Sequence, residues 1–351
     1  VAVKHLGVDI GATHVRVAEV EFSGKGAGAD GTLTAFGAAP LPPGAVQAGE
    51  VIEVSTVAAA LKQLLHQTGC STKEAILGVG APNVVVRELD LPAMPMAQLK
   101  TSLPFQVQEL LPMSPSEAML DFFPTAEHAG ESGSLLRGVM VAAPKSVVAQ
   151  NVLAVENAGL RPKVVDLGAF SLLRSQLTSE TAGKIAAFVD IGARVTTVVV
   201  AQHGVPRMVR ILPSGGQDMT DAVATALQMG HQDAEQFKMA VGLGQSGSPE
   251  TQVGSEALVT AARSLVESIR NTFVFYASNN PGAPLEHVVI TGGGSLMSGL
   301  GQFLASASRV PVSFGNAFGR VTPSKKLKSE AMQGNEVRGA MAVGLAFGEM
   351  S

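Results

Sequence analysis

Apolar residues fall along this chain in two patterns. Short apolar blocks at 15–20, 195–201 and 288–291 read as strands, the last of them a buried one. Apolar stripes at helical spacing read as amphipathic helices. Over 55–67, Val57, Leu61, Leu64 and Leu65 share a face, with Ser55 as the expected cap and Gly69 as the stop. Over 256–279, Leu258, Ala262, Leu265, Ile269, Phe273 and Tyr276 form a core stripe, leaving Arg263 and Arg270 on other, solvated faces. Between these regions, 82–147 reads as strand (84–89), helix (97–111), strand (118–123), a mobile loop over 125–134, and strand (136–143). Pro104 lies inside that helix, where it removes a donor and clashes with the preceding turn, so a kink or break is expected there.

Composition narrows the class. A chain of 351 residues exceeds what one core supports, so two lobes are expected. Hydrophobic residues make up 46% and the mean hydropathy is +0.27, yet no uncharged apolar run reaches the roughly 18 residues of a membrane span. The first residues lack an apolar signal-peptide stretch, and a cytoplasmic location is expected, with membrane contact only indirect. Cys70 is the single cysteine, which excludes an intrachain disulfide and a multi-cysteine zinc site. With a net charge of −4, no tryptophan and one tyrosine, the chain lacks the basic face and stacking platforms of a nucleic-acid binder; the basic residues of 320–328 read as a solvated loop.

A repeat changes the picture. Val8-Asp9-Ile10-Gly11-Ala12 recurs identically as Val189-Asp190-Ile191-Gly192-Ala193, each copy placed between β-rich runs. Each reads as a β-hairpin with a glycine turn. Gly11 and Gly192 are expected to adopt backbone angles that a side chain would forbid, and successive turn amides can form a concave nest for phosphate. An aspartate at the end of each first strand, Asp9 or Asp190, would then face the phosphates and hold magnesium, directly or through water. Thr13 adds a hydroxyl to the first turn.

A third glycine cluster, Gly292-Gly293-Gly294 with Ser295, follows the strand at 288–291 and precedes a short helix expected from about Leu296. Neither a Walker loop nor a dinucleotide fingerprint occurs. Gly215-Gly216-Gln217 precedes another helix, and Glu235 and Lys238 share a helical face at i, i+3, a spacing that also suits an ordinary surface ion pair.

In this order the motifs resemble the actin, heat-shock chaperone and sugar-kinase superfamily, with two phosphate hairpins at 7–16 and 189–197 and an adenosine loop at 291–295. The resemblance is most specific to the PilM family of actin-like proteins of type IV pilus assembly. It is carried by Glu88-Leu89-Asp90-Leu91-Pro92-Ala93-Met94-Pro95 and Glu109-Leu110-Leu111-Pro112, then by Val139-Met140-Val141-Ala142-Ala143-Pro144-Lys145 and Glu156-Asn157-Ala158-Gly159-Leu160-Arg161-Pro162. It implies an α/β, actin-like (ribonuclease H-like) duplicated two-lobed fold with a small α+β subdomain inserted. The expected division is 1–81 with 148–180 and 335–351, an inserted partner-binding module at 82–147, and 181–334.

The same resemblance implies that ATP or ADP with Mg2+ sits between the lobes. The phosphates would lie on Gly11, Ala12, Thr13, His14, Arg16, Gly192, Ala193 and Arg194, and the metal on Asp9 and Asp190 through water. The nucleoside would meet Gly215, Gly216, Gln217, Glu235, Lys238, Gly292, Gly293, Gly294 and Ser295. Implied partners are the N-terminal tail of a PilN-like inner-membrane protein, other pilus assembly components, and further copies of the chain. Met94, Met96, Leu99, Leu103 and Phe105 either line the partner groove or pack a core. Gly168 stands where relatives often carry an acidic residue, so the resemblance implies a slow ATPase at most, with Asp9, Asp190 and Asp166 as the candidate catalytic carboxylates. Two other readings remain: an FtsA-like filament protein, although residues 344–351 lack a basic amphipathic face, and a small-molecule kinase, for which no acceptor base is evident.

Overall fold

The computed structural model describes residues 2–23, 31–131, 133–244 and 249–348. Expectations touching Val1, Ser132 and residues 349–351 lie outside the described residues. Along the chain, β1 (Val3–Ile10), β2 (His14–Phe22) and β3 (Gly31–Pro40) form a meander, followed by β4 (Val46–Gln47), β5 (Glu50–Val51), α1 (Val54–Thr68) and β6 (Glu74–Val79). Then come β7 (Val85–Pro92), α2 (Met96–Gln106), β8 (Ala118–Gly130), β9 (Gly133–Pro144), α3 (Lys145–Asn157), β10 (Arg161–Leu167) and α4 (Gly168–Gln176). A second meander, β11 (Ile185–Ile191), β12 (Thr196–Gln202) and β13 (Val205–Leu212), leads into α5 (Gly216–Leu227), α6 (His231–Val241) and α7 (Pro249–Asn279). Last are β14 (His287–Thr291), α8 (Leu300–Ser308), β15 (Val312–Phe314), β16 (Val321–Pro323) and α9 (Ala340–Ala346).

The two meanders build equivalent sheets. One has six strands in the order β10-β6-β1-β2-β3-β16, the other five in the order β13-β12-β11-β14-β15. In each, the first meander strand lies antiparallel to the second and parallel to a later strand, β6 or β14. The chain is therefore a duplicated, two-lobed α/β fold. The strands read as continuous apolar runs because both faces are covered. Ile185, Ala187, Val189 and Ile191 pack on the α7 side of the second sheet, while Ala186 and Phe188 join a core shared with α4, α9 and the first sheet. By the same alternation Leu6, Val8 and Ile10 face the core beneath α1.

Two close contacts fix α9 between the first sheet and α4. A Cβ on Gly7 would lie 2.1 Å from the Ala342 carbonyl oxygen, and one on Gly344 would lie 1.8 Å from that of Ser171 in α4. No side chain fits at either crossing. The His5 ring also hydrogen-bonds the Ala346 carbonyl, at 3.1 Å.

A third sheet, β7-β9-β8, packs α2 through Leu91, Leu99, Leu103, Phe122 and Met140. Of the side chains offered for a partner groove, Leu99 and Leu103 are thus core, whereas Phe105 is 80% exposed. Several expectations need correction. The loop expected over 125–134 is the tip of a long hairpin, in which Ala126 to Gly130 pair with Arg137 to Gly133. Backbone pairing there overrides a polar composition. Pro104 sits within α2, and the helix stops two residues past it, giving way to a 3-10 turn at Gln108–Leu110. Helix α1 is capped at Glu53 with no side-chain cap bond, not at Ser55, although Gly69 does end it in the left-handed region at φ 67°. The helix after the glycine cluster starts at Leu300, preceded by a 3-10 turn over Gly293–Leu296. The expected boundary at 334 comes too late, because Val321–Pro323 pair with Gly31–Leu33 of the first sheet.

Glu19 of β2 is a buried carboxylate that composition did not single out. It accepts from the Ser71 and Thr72 amides at 2.6 and 2.9 Å, from Thr34 Oγ1 at 2.7 Å and from Lys4 Nζ at 3.1 Å. Burial opposes its charge, but these donors outweigh it and hold the carboxyl below its ordinary range. Its contribution to stability is therefore complete above the unfolded pKa and is lost as the pH falls through the folded value. Glu19→Gln should cost about 2 kcal/mol at neutral pH and flatten the acid limb of stability against pH in urea denaturation. An unaltered acid limb would contradict this assignment.

Candidate functional site

A cleft of about 770 Å3 opens between the two sheets, at the ends of β1 and β11. Strand alternation puts Asp9 on the same face as Gly7, and Asp190 on the same face as Phe188, so both aspartates face between the lobes. Both line the cleft. The two hairpin turns match closely. Gly11 N–H donates to the His14 carbonyl and Gly192 N–H to that of Val195, each at 3.0 Å. Neither glycine has a positive φ, which corrects the expectation of special backbone angles. What glycine provides is room. A Cβ on Gly192 would lie 2.7 Å from the Val195 carbonyl oxygen, and one on Gly11 would lie 3.1 Å from that of His14.

Above each glycine the turn leaves amides free. Among the described residues, the N–H groups of Ala12, Thr13, Ala193 and Arg194 donate to no protein acceptor, and all four residues line the cleft. Arg16 Nε is buried without a partner as well, while its Nη1 lies 3.7 Å from Asp9 Oδ2. Unpartnered donors from both lobes thus converge on one space, an arrangement suited to an anion.

The glycine clusters close the second-lobe side. Gly292 has φ 83°, and its missing Cβ would lie 2.3 Å from the Ile191 carbonyl oxygen. Gly216 and Gln217, opening α5, donate to the carbonyls of Gly192 and Ala193 at 2.9 and 2.8 Å, and so tie the helix to the second turn. A Cβ on Gly215 would strike the same two carbonyls at 2.6 Å. Gly292, Gly293 and Gly294 line the cleft, whereas Ser295 is fully buried and donates to the Gly292 carbonyl at 2.7 Å. Gly215 and Ser295 shape the loops from behind.

Electrostatics reinforce the focus. Burial raises the Asp9 carboxyl, with Arg16 opposing. Burial pushes Asp190 up to about 6, against a hydrogen bond from Thr291 Oγ1 at 2.8 Å and with repulsion from Asp9 adding to the rise. Two carboxylates that feel each other in a buried cleft are a ready partner for a cation's water shell. His14 is depressed by burial and by Arg16 and Arg338. Among the described residues no group of three or more His, Cys, Asp or Glu could hold a metal without other ligands.

Three expected site residues play different parts. Asp166 does not line the cleft; it is ion-paired with Arg174 at the end of β10. Arg194 pairs with Asp218 and Asp221 of α5. Lys238 is buried, and its ammonium donates to the Gly216 carbonyl at 3.0 Å, Thr220 Oγ1 at 2.9 Å and Glu235 Oε2 at 2.7 Å. All three of its donors are used within the protein. It joins α5 to α6, leaving Glu235 at the cleft. Lys238→Met should cost about 2 kcal/mol in urea denaturation, less than a fully buried pair because Glu235 is 44% exposed. A loss under 0.5 kcal/mol would refute the buckle.

Sequence reading missed Gly78 at the end of β6 and Gly80 just after it, both at the cleft, as well as His231, Asn335 and Arg338. The glycine pair after the apolar run 75–77 was a detectable signal; nothing in the sequence distinguished Arg338.

A family model described as type IV pilus assembly protein PilM matches residues 7–350. The chain belongs to the PilM family. Its structure is similar to the PilM-PilN type IV pilus biogenesis complex, with a TM-score of 0.83, 26% identity, and 99% of each chain covered. MreB5 of Spiroplasma citri bound to ADP shares the fold at a TM-score of 0.52 and 11% identity, covering 97% of this chain and 94% of that one. Cell division protein FtsA of Bacillus subtilis is 19% identical over 264 residues, 68% of this chain and 58% of that protein. The chain spans little more than half the length of the curated relatives it matches. Membership of the PilM family gives it a role in type IV pilus assembly.

Proposed function

We propose that this PilM-family chain is an ATP-binding adaptor that captures the N-terminal tail of a PilN-like inner-membrane protein. The four unpartnered turn amides carry the nucleotide reading. Paired on two equivalent hairpins, beside the orphaned Arg16 Nε, they fit the phosphates of a nucleoside di- or triphosphate. Gly292, Gly293, Gly294, Gly216, Gln217 and Glu235 would border the nucleoside. Asp9 and Asp190 would hold the water shell of magnesium, which when bound neutralises phosphate charge. The likeness to a PilM-PilN complex supports the partner, and the α2-bearing module at 82–147 is its proposed seat. The lobes proposed on this reading comprise 1–81, 148–180 and 335–351, joined by β16, and the remainder of 181–334. With Asp166 ion-paired and Gly168 at the cleft, no residue is assigned as a catalytic base.

Calorimetric titration of ATP with and without magnesium, then of a synthetic tail peptide from the cognate PilN-like protein, tests both parts. Saturable ATP binding and saturable peptide binding are expected. Silence with ATP would refute the cleft assignment, and silence with the peptide alone would refute the adaptor.

A further inference from the structure

On the second lobe a trough of about 710 Å3 runs between α7 and α8 and shares no lining residue with the nucleotide cleft. Along α7 its wall is Arg263, Val266, Glu267, Arg270, Phe273, Val274 and Ala277, one face of the helix on which each turn lies three or four residues from the last. That face spans about 21 Å, or four helical turns. Phe303, Ala307 and Val310, with Leu285, supply the other apolar wall. Val274 is 53% exposed beside the core residue Phe273.

Positive charge predominates around this apolar floor. Arg263, Arg270 and Arg309 border it, with Glu267 the single carboxylate. Among the described residues none of the three guanidiniums has an ion-pair partner, so their charge is available to a docked chain. The chain as a whole is acidic, at −4, so this is a local inversion. Arg309 also closes α8 with φ 58°, in the left-handed region where glycine or asparagine is the usual choice. Helices form both walls and no strand borders the trough, which excludes strand addition and favours ridges-into-grooves packing of a third helix.

We infer that the α7–α8 trough docks an amphipathic, acidic helix of a protein partner, its apolar stripe on Val274, Phe303 and Ala307 and its carboxylates on Arg263, Arg270 and Arg309. This surface would serve a second attachment, separate from nucleotide and from the tail-binding module, and its test does not depend on either.

The probe is a fluorescein-labelled 14-residue peptide with leucine at helical a and d positions and glutamate elsewhere. Its binding to the full chain is followed by anisotropy, beside a version with lysine for every glutamate. The acidic peptide should bind saturably and at least tenfold tighter than the basic one. The double variant R270E/R309E should lose at least tenfold. Ala307→Trp, which fills the trough without changing charge, should abolish binding while thermal melting stays cooperative. No binding, equal binding of the two peptides, or indifference to both variants would overturn the proposal. So would sedimentation with phosphatidylglycerol vesicles in place of peptide binding, which would assign the arginines to a lipid surface.

Discussion

Gly344→Ala should destabilise the fold by about 3 kcal/mol or more. The added Cβ would lie 1.8 Å from the Ser171 carbonyl oxygen and 2.5 Å from its carbon, both backbone atoms that cannot rotate aside. Relief would require α9 to lift from α4, yet α9 is held on its other side by the crossing with Gly7, where a Cβ would lie 2.1 Å from the Ala342 oxygen. Overpacking generally costs 1 to 3 kcal/mol, and a clash confined between two backbones should reach about 3 kcal/mol or more. Ala340, Ala342, Val343, Leu345 and Ala346 are all buried, so displacing the helix opens the core shared by both sheets. Gly69→Ala is the matched control. Gly69 has φ 67° but no atom within 4 Å of the Cβ position, so only the conformational penalty of about 1 kcal/mol applies. Urea denaturation of both variants decides the matter; if Gly344→Ala is as stable as Gly69→Ala, the close crossing is not what holds α9.

Asp190→Asn should weaken magnesium-dependent ATP binding at least tenfold and leave the magnesium-free affinity unchanged or improved. Asparagine can keep a hydrogen bond to Thr291 but removes the negative charge that repels Asp9 and that the proposed metal shell would face. The pH dependence follows from the raised carboxyl. Between the ordinary value of 3.8 and about 6, the folded protein holds a proton that the unfolded chain has released. The contribution of this group to the stability of the free protein therefore falls as pH rises through that window. Metal binding runs the other way, because the cation requires the ionised form. Magnesium-dependent affinity should rise from pH 5 to about pH 7 and then level, and the variant should lose most of that slope. Equal magnesium dependence in variant and parent would exclude Asp190 from the metal shell.

The sheet core and the paired turns were legible in the sequence because local rules and the fold agree there. The identical pentapeptide placed Asp9 and Asp190 at equivalent strand ends, and the structure pairs them in equivalent registers, with Arg16 and Thr197. The stripe on α7 was legible for the same reason, since its period matched its burial. Where tertiary contacts decide, local signals misled. A polar, glycine-containing stretch at 125–134 is zipped into a hairpin by the strand opposite. Lys238 looked like a surface partner of Glu235 because spacing cannot show that Gly216 and Thr220 arrive from another helix. Glu19 gave no signal, as its two amide donors come from a loop 52 and 53 residues away. The role of Gly11 and Gly192 was misread from turn chemistry, when steric room beside a carbonyl is what the site requires.

The position of α9 also bears on how the protein is made. The His5 ring and the Ala346 carbonyl that it meets are separated by 341 residues, and the helix between Gly7 and Ser171 fills the centre of the first sheet's inner face. During synthesis the first meander leaves the ribosome long before this helix exists. The part of its inner face that α9 covers must wait while the second meander and α7 are translated and are free to fold. Order of emergence and order of completion are thus reversed between the lobes, and the seat of α9 on the nascent first sheet stays exposed until that helix emerges.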